Sequence, residues 1–118
     1  MSAAQTGHLV LSTIHTQALS CIERLRNFGI EPHSIAQNLL FVSSQRLIRY
    51  RDLQRGRFAI HEVLAFTPKL ISAIELQMTV TELEEIADGE GFRSMRQQAD
   101  ALFHQGLIDQ SVLLHEIP

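Results

Sequence analysis

Thr6-Gly7-His8-Leu9-Val10-Leu11-Ser12-Thr13-Ile14-His15-Thr16 is apolar nearly throughout its middle and carries a histidine toward each end. A short run of this kind, bounded by Gly7 and Thr16, predicts a strand over residues 8–14 of the type buried on both faces of a parallel sheet. His8 and His15 are seven positions apart, an odd number, so along a regular strand they face opposite sides and do not share a zinc ion. A histidine beside a strand is most often simply hydrogen-bonded. One at a strand's C-terminal end also points into the crevice where α/β sheets bind ligands, and the residues alone leave both readings open.

Beyond Thr16 the period changes from two to that of a helix. Ala18, Cys21, Ile22, Leu25 and Phe28 recur at helical spacing after Thr16, a candidate N-cap, and Gly29 ends the run. Pro32 suits the first turn of a second helix with Ile35, Ala36, Leu39, Leu40 and Phe41 toward the core. Residues 43–49 and 57–64 are β-compatible, joined by a charged turn over residues 51–56. The remainder is punctuated as helices: Thr67-Pro68 opens one, Thr81 with Glu84 reads as a capping box closed by Gly89, Ser94 with Gln97 caps the next up to Gly106, and Asp109 opens the last. The expected fold class is α/β, with a partial α/β unit over residues 1–66 and a helical subdomain over residues 67–118.

A chain of 118 residues, 45% of them hydrophobic, makes one domain at most or a piece of a larger one. Its net charge of -3 argues against a dedicated nucleic-acid binder. The total hides a polarity. Residues 1–66 hold seven arginines against four acids, and residues 67–118 three bases against nine acids, so the two parts face different neighbours or each other. Cys21, the only cysteine, lies on the apolar face of its helix and reads as a buried structural thiol in a reducing compartment. His33, His61, His104 and His115 have no ligand spacing, and no metal site is expected. Arg46, Arg49, Arg51, Arg55 and Arg57 form the densest basic cluster, read as a solvated turn at Arg51 and Arg55. No segment approaches the ~20 apolar residues of a membrane helix.

The stretch from Thr6 to Thr16 resembles the histidine box of the motor ATPases of type II secretion and type IV pilus assembly, T-G-H-L-V-x-x-T-L-H-T. The resemblance continues in Ile22-Glu23-Arg24-Leu25, Gly29-Ile30-Glu31-Pro32, Ser44-Gln45-Arg46-Leu47, Gly56-Arg57 with Glu62-Val63-Leu64, and Gln105-Gly106-Leu107-Ile108, and so spans the chain. It implies the C-terminal part of a RecA-like P-loop domain followed by a helical cap. Many such motors also carry a four-cysteine zinc module between the Q-R-L and G-R elements. Here only Ile48 to Arg55 lie between them, without a cysteine.

In the complete motor the resemblance makes His8 and His15 nucleotide-sensing residues and places Thr13, Thr16, Gln45 and Arg46 near the nucleotide. It implies ATP and magnesium as cofactors of that motor, six subunits in a ring, an inner-membrane platform as partner, and a cytoplasmic location peripheral to the membrane through partners. For this chain alone no cofactor is expected. The only lysine, Lys69, follows Pro68 rather than a glycine, and no acid precedes Glu23, so neither a Walker A loop nor a Walker B carboxylate ahead of the box is encoded. The expectation is therefore a truncated motor, unable to hydrolyse ATP alone, whose open strand edge promotes self-association. The alternative is a stand-alone module that binds a motor subunit or another partner.

Overall fold

Proline and capping residues set where the helices of this chain begin, and left-handed residues set where several of them end. The computed structural model describes residues 2–14 and 16–118. Its elements, in chain order, are α1 (Ser2–Gln5), α2 (Ala18–Asn27), α3 (Pro32–Asn38), β1 (Phe41–Arg49), β2 (Arg57–Ala65), α4 (Pro68–Glu75), α5 (Val80–Gly89), α6 (Met95–His104) and α7 (Gln110–His115), with a 3-10 turn at Leu53–Arg55. The α/β class holds. Among the described residues the one sheet is the β1–β2 pair, whose end bonds, Phe66 N–H to Leu40 and Tyr50 N–H to Gly56, make it an antiparallel hairpin.

The chain forms two compact units, one of residues 1–43 and 63–91, the other of residues 44–62 and 92–118. In the first, α3 packs on α4, α2 on α5, and α4 on α5. Ile22, Ile35, Leu64, Leu70, Ile74 and Leu83 are fully buried there, each such side chain contributing about 1.5–3 kcal/mol by leaving water. In the second, Ile48 and Ile60 of the hairpin join Met95, Ala99, Ile108, Val112, Leu113 and Ile117 in one cluster, flanked by Phe58, Leu102 and Phe103.

Along β2 burial alternates with the pleat, so Phe58, Ile60, Glu62 and Leu64 share the covered face. The far end of the hairpin is tied down twice. Arg51 donates its N–H to Leu107 at 2.8 Å and its guanidinium lies 3.4 Å from Asp109. Beyond it, Asp52 accepts the Gln54 N–H, Gly56 takes φ 79°, and Tyr50 sits between the Phe58 ring and the Arg55 guanidinium.

Several expectations need correction. Residues 8–14 form no strand. They run as irregular chain with Leu9 and Leu11 81% and 83% exposed, because a central strand exists only with neighbours to complete its ladder and the hairpin is paired to itself. The N-cap of α2 is Gln17, one residue past Thr16. Helix α5 opens at Thr79, whose hydroxyl accepts the Glu82 N–H at 3.2 Å, two residues before the expected box; both positions fit Thr-x-x-Glu, and the earlier one is taken. Its stop is Gly91, at φ 92°, with Gly89 still helical.

Candidate functional site

A single helical turn, α1, immediately precedes the histidine box. Thr6, Gly7 and His8 return their N–H groups to Ala3, Ala4 and Ala3 at 3.3, 3.1 and 3.3 Å, so α1 is closed by three backbone bonds. Gly7 makes the reversal possible at φ 89°, a left-handed conformation that costs a side-chain-bearing residue roughly 1–2 kcal/mol. The Thr6 hydroxyl donates to the Ala3 carbonyl at 2.8 Å, and the same oxygen lies 2.9 Å from Nδ1 of His8. Thr6 and His8 are both exposed.

Of the residues expected to meet nucleotide, His8 and Thr13 lie exposed on the irregular run and Thr16 is half-buried, its N–H bonded to Ile14 at 3.1 Å. His15 lies outside the described residues. Gln45 and Arg46 belong to the other unit, exposed and adjacent on β1, where successive side chains point to opposite faces of the sheet. Among the described residues of the box, the Thr6 hydroxyl and Nδ1 of His8 lie within hydrogen-bond distance.

Thr6 and Glu62 carried no assigned role in the sequence reading. For Thr6 the available signal was its place two residues before a histidine across a glycine. For Glu62 it was an acid in step with Phe58, Ile60 and Leu64, on the side of β2 that must be covered. Glu62 is 5% exposed, and its carboxylate accepts the Met95 N–H at 2.7 Å. It lies at the N-terminus of α6, where negative charge is favoured.

ATP and magnesium, which the resemblance implies for the complete motor, demand a phosphate cradle and hard oxygen ligands. Among the described residues no group of three His, Cys, Asp or Glu side chains is placed to hold a metal ion. Lys69 is exposed in the first turn of α4, directly after Pro68. Pro68 has no N–H and cannot supply Lys69 with a backbone phosphate cradle.

The profile of the family described as Type II/IV secretion system protein matches residues 1–115. The chain is 31% identical to the type II secretion system protein HxcR of Pseudomonas aeruginosa, an alignment covering 99% of this chain and 29% of HxcR. It is also 31% identical to the type IV pilus assembly ATPase PilB of Thermus thermophilus, over 80% of this chain and 15% of that protein. The HxcR alignment runs over 140 positions, more than this chain has residues, so the relative carries residues with no counterpart here. Among solved structures, the pilus retraction motor PilT with bound ADP matches with TM-score 0.80 at 26% identity, over 99% of this chain and 34% of that one. The Yersinia pseudotuberculosis ATPase DotB matches with TM-score 0.73 at 25% identity, over 96% of this chain and 31% of its own. The chain thus spans less than a third of the length of these two curated relatives. Matched along nearly its whole length in sequence and in fold, it belongs to the type II/IV secretion system protein family.

Proposed function

We propose that these residues form the histidine-box region of a motor ATPase that powers type II secretion or the assembly or retraction of a type IV pilus. The observation that carries this reading is the eleven-residue box, Thr6 to Thr16, in a chain whose fold matches the PilT retraction motor over 99% of its length. In the assembled motor His8 and His15 sense the state of the nucleotide, and Thr13, Thr16, Gln45 and Arg46 line its surroundings. The motor acts from the cytoplasm as a ring of subunits against an inner-membrane platform. No helix among the described residues is long and apolar enough to cross a membrane.

By themselves the 118 residues hold no nucleotide and hydrolyse none. Phosphoryl transfer rests on positioning and on charge neutralisation by a phosphate cradle and a metal ion, and the donors for both come from other parts of the motor.

Thermal unfolding of the purified chain with and without magnesium ATP tests this directly, since a ligand that binds the native state must raise the midpoint. An unchanged midpoint is expected, and a rise that grows with ATP concentration overturns the claim. Co-sedimentation with an intact secretion or pilus motor tests the assembly role. Migration with the ring supports it, and separate migration at every ratio counts against it. Dose-dependent inhibition of the intact motor without entry into the ring favours instead a separate interaction module.

A further inference from the structure

The two ends of the hairpin keep one register. Phe66 donates its N–H to Leu40 and Tyr50 donates its N–H to Gly56, both at 3.1 Å, so the even-numbered residues of β1 are the ones bonded to β2. Ser43, Gln45, Leu47 and Arg49 therefore turn their N–H and C=O groups away from the partner strand. On the β2 side the corresponding row is partly covered, since Gln98 of α6 donates its side-chain amide to the His61 carbonyl at 2.6 Å. The β1 side is open: among the described residues no strand pairs with it, no backbone N–H or C=O from a loop reaches it, and all four residues are exposed. It has no proline and no shift of register, two of the devices that keep natural edges from pairing.

The same chain holds a segment with the same unmet need. Leu9-Val10-Leu11-Ser12-Thr13-Ile14 carries no charge, no proline and no glycine, the composition of a segment that pairs readily as a strand. It is irregular, and among the described residues those from Leu9 to Thr13 make no backbone hydrogen bond. Its six residues fit along the nine of β1. Within one chain the segment and the edge are not paired, so a strand laid on that edge comes from another copy.

We propose that the open edge of β1 is a docking surface for a second copy of this chain, which lays its residues 9–14 along Ser43 to Arg49 as a third strand. Main-chain bonds then hold the two copies together, as in other cases of strand addition. The segment that stays irregular for want of a ladder thereby obtains one. The inference needs neither nucleotide nor any other part of a motor, so it stands or falls apart from the motor reading.

Gln45→Pro removes one outward N–H and leaves the bonds to β2, because proline is tolerated on an edge strand where its nitrogen faces solvent. Gln45→Thr removes the same side chain and keeps the N–H. Sedimentation velocity on the full chain at rising concentration is expected to show larger species for the wild type and for Gln45→Thr, and monomer throughout for Gln45→Pro. Unchanged association in Gln45→Pro, or equal loss in Gln45→Thr, overturns the proposal. Hydrogen exchange on the wild-type chain gives a second reading that does not depend on how a variant folds. The amides of Leu9 to Thr13 and of Ser43, Gln45 and Leu47 slow severalfold as concentration rises through the association, whereas those of Arg46 and Ile48, already in the ladder, are slow at every concentration. Outward amides that exchange at one rate across the range overturn it as well.

Discussion

The carboxylate of Glu62 accepts the backbone N–H of Met95 at 2.7 Å, so a side chain from β2 closes the first turn of α6. The capping box supplies the neighbouring bonds, Gln97 N–H to the Ser94 hydroxyl at 3.1 Å and Ser94 N–H to the Gln97 amide oxygen at 2.9 Å. The Met95 N–H is one of the four donors that a helix start leaves open, and it lies in the interior, where water cannot replace Glu62. Glu62→Gln keeps an acceptor and loses the charge, at a cost of about 1 kcal/mol. Glu62→Leu leaves the donor buried without a partner, at about 2–3 kcal/mol. Urea unfolding of the two variants checks the order, and equal midpoints would remove Glu62 from this role.

Helix α4 ends without a glycine. Gln77 takes φ 57° so that its N–H reaches Ile74 and the Met78 N–H reaches Ala73 at 3.0 and 3.1 Å, the paired bonds of a Schellman stop. At the same position after α2 and α6 stand Gly29 and Gly106, at φ 85° and 77°. Because a side chain disfavours this conformation, Gln77→Gly stabilises the chain by about 0.5–1 kcal/mol. A higher urea midpoint with an unchanged slope is the expected reading, and a lower one refutes it.

Leu9, Val10 and Leu11 stand exposed side by side on the irregular run. Contiguous apolar side chains in water drive association wherever a second copy can cover them. Sedimentation velocity on the chain therefore detects species larger than the monomer, and the double substitution Leu9→Asp with Leu11→Asp shifts the distribution to the monomer. Identical distributions for the two chains would place the contact elsewhere.

Cys21 lies within the first unit, and burial pushes its thiol above the ordinary value of 9.0. The native chain reacts slowly with iodoacetamide at pH 8, and the unfolded chain in guanidinium reacts fast, since the thiolate is the nucleophile. The neutral thiol favours the folded state, so this contribution is complete below the unfolded thiol's value and is lost as pH rises through and beyond it. Cys21→Ala flattens the alkaline fall in stability; a fall of the same steepness in both chains would assign it to other groups.

Local chemistry was legible where a residue type has one dominant use. Pro32 and Pro68 opened their helices, the Ser94–Gln97 box formed as expected, and the turn at residues 51–56 joined two strands at the expected positions. The stretch over residues 8–14 was read correctly as apolar and wrongly as a formed strand, because hydropathy reports what a segment can bury and not whether its partners are present. Glu62 was invisible as a cap because its partner, Met95, is 33 residues away. Within the box the histidines carried the motif, while the Thr6 hydroxyl that meets His8 depends on a left-handed turn at Gly7. A pattern of letters does not show such a turn.

The end of the hairpin has one more consequence. Arg51 is fastened at its N–H and its guanidinium, and Tyr50 pairs with Gly56 across the last rung, so the ladder is complete before the exposed Leu53 is reached. Extending such a connection costs only about 0.6 kcal/mol for each doubling of its length. The hairpin tip is therefore a natural splice point, where foreign sequence can be grafted with little penalty to the fold on which it is mounted.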